Sequence, residues 1–181
     1  MFTKTTRLII RDFEREDFAS LLAISGDPEV FRLNDFVPAD EDKLREWLDE
    51  TIVSNAQQPR SSHMCAILLT ATNALIGWIG FGVPSEPGHG DIDFGYALNR
   101  AYWNQGYTTE AVRGMLAYCF DVVGARVVTA YHMDLNPASG RVMRKAGMHL
   151  DAAQMTGRTN GEVHYIVTAD EWRTSRDSRE S

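Results

Sequence analysis

The uncharged run from Met64 to Val83 constrains the fold of this chain more than any other segment. Its length approaches the roughly 20 apolar residues that span a bilayer. It also holds Thr70, Thr72, Asn73, Gly77, Gly80 and Gly82. Thr72-Asn73 divides it into two strand-length pieces. The run is therefore read as a hairpin, His63 to Leu69 followed by Leu75 to Val83, and not as a membrane span.

The chain has 181 residues, enough for one domain with a sizeable core that needs no metal or disulfide. Hydrophobic residues are 44% and charged residues 24%, which excludes a disordered chain. There are 18 Lys and Arg against 25 Asp and Glu, a net charge of -7. Such a balance argues against nucleic acid or an anionic membrane as partner. Cys65 and Cys119 sit in apolar runs and are expected to be reduced core residues of a cytoplasmic protein. No N-terminal stretch has the layout of a signal peptide. The histidines His63, His89, His132, His149 and His164 lack close ligand spacing, so no metal is expected.

Along the chain, Arg7 to Phe13 reads as a strand. Glu16 to Ser25 reads as a helix with Phe18, Leu21, Leu22 and Ser25 on one face, ended by Gly26-Asp27-Pro28. A short segment, Glu29 to Phe36, precedes a stronger helix opened by Pro38 and Asp40, with Leu44, Trp47, Leu48, Thr51 and Ile52 at helical spacing. After the hairpin and the loop Pro84 to Gly90 come a strand from Asp91 to Leu98, a helix from Thr109 to Val123, and a strand from Arg126 to His132. A helix from Asn136-Pro137 to Ala146 follows. Two late strands, His149 to Gly157 and Val163 to Thr168, flank an Asn160-Gly161 turn. Residues 1–172 are expected to form one domain, with Arg173 to Ser181 a frayed polar tail. Mostly antiparallel strands around a strand-helix-strand unit give an α+β (mixed α/β) domain with helices covering the sheet.

The stretch Leu98 to Val112 carries the most chemistry. A strand ends, the chain turns through Gly106, and a helix begins near Thr108 or Thr109. The first amides of a helix have no internal partner and favour an anion. Thr108 and Thr109 could cap the helix or donate to phosphate oxygens. The Gly-Lys-Ser/Thr ending of ATP loops and the glycine triplet of dinucleotide binders are both missing. An anion here would be held mainly by backbone; an ordinary helix cap is the alternative.

Here the sequence resembles the GNAT N-acetyltransferase superfamily, and within it the ribosomal-protein-alanine N-terminal acetyltransferase type. Trp103-Asn-Gln-Gly106-Tyr-Thr108 is similar to the family's pyrophosphate motif at its central glycine, and departs from it with Trp in place of Arg or Gln and Thr in place of Gly or Ala. Tyr102 to Ala111, Asp93-Phe-Gly95-Tyr96, Asn136-Pro-Ala-Ser139 and Lys145-Ala-Gly147-Met148 also match. Thr6 to Arg11 and Asp170-Glu-Trp172 extend the resemblance over about residues 5 to 172, in the expected order.

The resemblance implies a GNAT acyltransferase fold: a twisted sheet, helices on both faces and a splayed central strand pair. It implies acetyl-coenzyme A as co-substrate. The pyrophosphate would lie on the amides of Asn104, Gln105, Gly106, Tyr107, Thr108 and Thr109. The pantetheine would add beside Phe94, Gly95 and Tyr96 and bond Asn136, which could equally be a helix cap. Arg141, Arg144 and Lys145 could reach the adenosine 3'-phosphate or form a solvated basic face. Glu110 is expected to be structural, pointing away from the phosphate.

Acetyl transfer from a thioester to an amine needs a neutral amine, a stabilised carbonyl oxygen and help for the leaving thiolate. Asp93 is the candidate base, through a water; a polar strand residue is the alternative. Ser139 is the candidate acid, as the resemblance to the ribosomal-type subgroup implies, with Met143 where many relatives have a tyrosine; a helix-cap serine is the alternative. The amide of Phe94 or Gly95 is the oxyanion donor by analogy. The acceptor would enter near Phe31 to Phe36, Ser85 to Gly90, His132 and His164, where Asp35, Glu86 and Asp134 could attract a cation. A peptide N-terminus, an aminoglycoside, a polyamine and an amino acid all fit. Another small-molecule acyltransferase, and a non-catalytic coenzyme-binding regulatory protein, are the competing readings. A monomer and a homodimer are both open.

Overall fold

A computed structural model describes residues 3–33, 37, 39–60, 62–82, 91–154 and 161–180, without the side chains of 177–180. Phe36, Pro38, Val83, the loop from Pro84 to Gly90, residues 155–157, Asn160 and Ser181 lie outside the described residues. So do Asp35, Glu86 and His89.

One sheet of eight strands has the order β1-β2-β3-β4-β5-β6-β8-β7. The strands are β1 (Thr3–Lys4), β2 (Leu8–Asp12), β3 (Ser62–Leu69), β4 (Leu75–Gly82), β5 (Ile92–Leu98), β6 (Val127–Met133), β7 (His149–Leu150) and β8 (Glu162–Thr168). The helices are α1 (Phe18–Ser25), α2 (Pro28–Phe31), α3 (Glu41–Asn55), α4 (Tyr107–Tyr118), α5 (Pro137–Ala146) and α6 (Ala169–Glu180). Every strand pair is antiparallel except β5 with β6.

The Met64–Val83 run forms the expected hairpin, β3 with β4, and Asn73 takes a positive φ of 56° in its turn. Its two apolar faces are both covered. On one, Ile67, Ile79, Phe94 and Val128 pack with Val112, Met115 and Leu116 of α4 and Met143 of α5. On the other, Ala66, Trp78 and Ala97 pack with Leu21 and Ile24 of α1 and Leu44 and Leu48 of α3. Each such fully buried aliphatic side chain contributes about 1.5–3 kcal/mol. Alternation along a strand sends neighbouring residues to opposite layers, so an uncharged hairpin is what a sheet between two helical layers requires.

Local capping sets the helix starts. The Asp40 side chain accepts from the Lys43 amide at 3.0 Å and opens α3. Asn136 opens α5 by accepting from the Ser139 amide at 3.3 Å, with Pro137 in the first turn and Gly147 at φ 110° closing the helix. Cys65 and Cys119 are free and buried, and burial pushes both thiols up to about 12.

Three expectations need correction. The helix foreseen from Thr109 begins at Tyr107 and passes into a π turn, Cys119–Val123, before Gly124. The strand foreseen from His149 to Gly157 extends only over His149–Leu150 among the described residues, because the chain turns at Asp151, whose carboxylate accepts from the amides of Ala153 and Gln154. The tail foreseen as frayed is α6. Trp172 is buried and stacks on Phe120 at 5.9 Å, and Arg176 meets Asp121 at 2.8 Å. One anchoring aromatic and one ion pair dock a segment that is polar by composition. The short strand β1 was not foreseen.

Helix α5 sits close to the sheet at Gly140. A Cβ there would lie 2.6 Å from His132 Nε2 and 2.8 Å from Tyr165 Oη. Both neighbours are pinned, His132 Nδ1 to the Met133 carbonyl at 2.9 Å and Tyr165 Oη by Arg144 at 2.7 Å. Alanine would gain roughly 1 kcal/mol of helix propensity, against an overpacking cost at the upper end of about 1–3 kcal/mol. Gly140→Ala is therefore expected to destabilise by about 1–2 kcal/mol, read as a fall of several degrees in thermal midpoint. An unchanged midpoint would mean that α5 is not packed this tightly.

Candidate active site

Strands β5 and β6 pair only at Ile92 with Val128 and Asp93 with Thr129. Beyond that point β5 keeps its partner β4, from Phe94 opposite Phe81 to Leu98 opposite Gly77. β6 keeps β8, with Ala130 opposite Tyr165 and His132 opposite Val163. The pair thus opens into a wedge, and backbone groups along its inner edges lack a strand neighbour. The chain then leaves β5 through a tight loop into α4, and leaves β6 into α5. Both helix starts border the wedge.

The loop is built by local bonds. Asn99 accepts from the Ala101 amide at 3.0 Å, and the Trp103 indole donates to the Leu98 carbonyl at 2.8 Å. Trp103 is thereby folded against the strand end. Asn104 (φ 60°) and Gly106 (φ 82°) both take left-handed conformations, and no side chain caps α4. Its first amides are left for a ligand. Asp27, which caps α2 through the Glu29 amide, also meets Arg100 at 2.9 Å and clips α2 to this loop.

A cleft of about 240 Å³ lies at this junction. Asn104, Gly106, Thr108 and Thr109 line one side, and Asn136, Ser139, Arg141 and Lys145 the other. Tyr96, Trp103, Val30 and Leu33 complete it. Among the described residues that line this cleft are two cations and no carboxylate, in a chain of net charge -7. That charge and the uncapped helix end suit an anionic ligand.

Not every expected residue is in the cleft. The Gln105 side chain folds back to the Ala101 carbonyl at 3.0 Å, and its own carbonyl accepts from Arg7 Nη1 at 3.1 Å. Tyr107 lies under the Arg7 guanidinium, 4.3 Å from its ring centre. Arg144 is turned away, donating to Tyr165; Lys145, its neighbour, lines the cleft. Phe94 is buried in the α4 layer. Gly95 is exposed, with open space where a Cβ would point. Asp93 is half-buried where the strands part. By strand alternation it faces the layer opposite to Phe94 and Tyr96. Met143 is in the core, at 1% exposure.

Two contributors were not foreseen. Val30 and Leu33 reach the cleft from the α2 region, a placement that only packing decides. The Tyr96 side chain crosses to α5, its Oη 2.8 Å from Ser139 Oγ and 3.3 Å from the Ser139 carbonyl. Burial, opposed by the bond to Ser139, pushes the ionisation of this phenol to higher pH. The Gly-Tyr pair marked the position in the sequence, but not the reach of its hydroxyl.

Glu110 is structural, as expected. It accepts from Thr5 Oγ1 at 2.6 Å, from the Arg7 amide at 2.8 Å and from Arg7 Nε at 2.7 Å. Burial alone would raise its carboxyl, but these bonds outweigh it and hold it below its usual 4.5. A lowered carboxyl contributes stability above the unfolded value that is lost as pH falls through the folded one. Glu110→Gln is therefore expected to lower stability at pH 7 by about 1–2 kcal/mol, with the gap closing below about pH 4. Urea unfolding at the two pH values checks this; a gap that is the same at both would show that the charge is immaterial.

Among the described residues no helix is long and apolar enough to cross a membrane, and no cluster of three or more His, Cys, Asp or Glu is placed to hold a metal ion.

The wedge, the uncapped helix after it and the second helix beside it define an acyl-coenzyme A type of site. Residues 7–149 match the acetyltransferase (GNAT) domain family. The chain belongs to that family and is an acetyl-coenzyme-A-dependent N-acetyltransferase. It is 26% identical over 180 residues to an uncharacterized N-acetyltransferase, YnaD, of Bacillus subtilis, covering 95% of this chain and 99% of that protein. Among solved structures, a GNAT-family acetyltransferase from Bacillus anthracis superposes with a TM-score of 0.76 at 25% identity, covering 94% of this chain and 99% of that one. A spermidine N-acetyltransferase from Vibrio cholerae, in complex with coenzyme A and spermine, has the same fold at 14% identity, with a TM-score of 0.73 over 93% of this chain and 99% of that one.

Proposed function

We propose that this enzyme acetylates a primary amine on a cationic acceptor, a peptide N-terminus or a basic small molecule, by direct attack in a ternary complex. The observation that carries this reading is the wedge between β5 and β6. It connects the cleft that holds Tyr96 and Ser139 with the opposite sheet face, which holds Asp93. Coenzyme and amine can then approach one carbonyl carbon from two sides.

In this reading the amides from Asn104 to Thr109 receive the pyrophosphate, and Arg141 and Lys145 the 3'-phosphate. Asn136 has committed Oδ1 to the Ser139 amide and offers its amide nitrogen to pantetheine. The backbone near Phe94 and Gly95 donates to the carbonyl oxygen. Asp93, through a water, draws the proton that leaves the attacking amine unprotonated. The C–N bond forms as the C–S bond breaks, the C–S electron pair stays on sulfur, Ser139 donates to that sulfur, and the nitrogen sheds its remaining extra proton to solvent. Tyr131, Met133 and Leu135 are exposed beyond the wedge and offer apolar contact to the acceptor. The ribosomal-protein-alanine subgroup, the monomer or homodimer state and the cytoplasmic location belong to the same proposal.

Isothermal titration with acetyl-coenzyme A, beside ATP as control, followed by a thiol-release screen of N-terminal peptides, polyamines and aminoglycosides, tests it. Coenzyme binding with turnover on one cationic class is the expected result. Binding without turnover on any amine would support a non-catalytic binding protein and sink the reading.

A further inference from the structure

A serine hydroxyl has one proton and two lone pairs, and it rotates to suit its neighbours. Ser139 Oγ has Tyr96 Oη at 2.8 Å. Two arrangements satisfy this contact. In one, Ser139 donates to Tyr96, and its proton is spent inside the protein. In the other, Tyr96 donates to Ser139 Oγ, and the serine proton is left to point into the cleft, which both residues line.

The second arrangement is favoured for three reasons. A phenol is a stronger donor than an aliphatic alcohol. The environment of Tyr96 pushes its ionisation to higher pH, chiefly by burial, so its proton stays on at every working pH. Its ring is also held in place, with Phe94 at 6.1 Å and 26° between planes. Ser139 is restrained in turn by Asn136, which accepts from its amide at 3.3 Å. A donor in series strengthens the next bond, because each hydrogen bond polarises its neighbour.

We propose that Tyr96 is a positioning residue for the leaving group: its phenol donates to Ser139 Oγ and so aims the Ser139 proton at the coenzyme sulfur. This rests on the placement of the thioester beside Ser139 given above. When the C–S bond breaks, the pair remains on sulfur as a thiolate held by the Ser139 O–H. No proton leaves Tyr96; the thiolate takes one from solvent on release.

The test needs no acceptor. Coenzyme A is bound to the full chain, and the thiol is titrated by its thiolate absorbance in the ultraviolet. A hydrogen bond to a charged group corresponds to a shift of about one pKa unit or more. The wild-type complex is expected to hold the thiol about one unit below its free value. Ser139→Ala should return it to the free value, and Tyr96→Phe should move it most of the way back to that value. The double variant should match Ser139→Ala alone, because Tyr96 acts only through Ser139.

A wild-type shift that Tyr96→Phe leaves intact overturns the inference. So does a Tyr96→Phe effect that persists in full when Ser139 is already alanine. Coenzyme bound with an unperturbed thiol overturns it while the coenzyme-site reading stands. Failure of the wild-type chain to bind coenzyme A overturns both.

Discussion

Thr108→Glu is expected to weaken acetyl-coenzyme A binding by about 100-fold or more while leaving the fold intact. Thr108 lies in the first turn of α4 and lines the cleft. An acidic side chain in that turn complements the helix dipole, and Glu is a better helix former than Thr, so stability should hold or rise slightly. The same carboxylate would occupy the anion position and repel the pyrophosphate, and two like charges a few ångströms apart at an effective dielectric near 20 interact by several kcal/mol. Isothermal titration against a thermal melt separates the two effects. Binding within a few-fold of wild type would show that the pyrophosphate lies elsewhere. Gly106 is less suited to this test. Among the described residues a Cβ there would meet only Arg7 Nη2, at 3.4 Å, so an added carboxylate would pair with Arg7 instead of facing the cleft.

Asp93→Asn is expected to lower kcat by about 100-fold, within the range of general acid–base contributions. KM for acetyl-coenzyme A should change little, because Asp93 faces the layer opposite to the cleft. The deficit should also depend on pH. An acceptor amine loses its proton unaided at about pH 8 for a peptide N-terminus and about pH 10 for an aliphatic amine, so the variant should close on wild type as pH approaches the acceptor's value. Parallel pH–rate profiles for the two proteins would remove Asp93 from proton transfer. A rate loss accompanied by a large rise in coenzyme KM would place it in binding.

The elements were legible where their signals are local. Thr72-Asn73 is a turn in the sequence and in the structure. Asn136-Pro137 caps α5, and Gly147 ends it, because capping needs only residues within one turn of each other. The motif around Gly106 located the loop, since a positive φ at that point is a property of the residue itself. The α6 segment misled because its anchors are not local. The nine residues Arg173 to Ser181 read as a tail until Arg176 finds Asp121, 55 positions away, beside the anchor of Trp172 on Phe120.

The site divides along the same line. Gly106, Thr108 and Thr109 were read from the turn before α4, Asn104, Asn136 and Ser139 from the family resemblance, and all line the cleft. Spacing could not tell Arg144 from Lys145, because adjacent helical residues point in directions about 100° apart and only the packing of α5 decides which one faces the cleft. Composition, the split of the uncharged run and the short motifs determined which elements this chain forms and which family it resembles. The tertiary structure alone decided that β5 and β6 part after one short ladder, that Asp93 and Ser139 lie on opposite sides of the opening, and that Tyr96 bonds a serine 43 positions away. A local rule acts through a few dihedral angles. A contact between distant residues depends on how whole layers pack, and no short stretch of sequence encodes that.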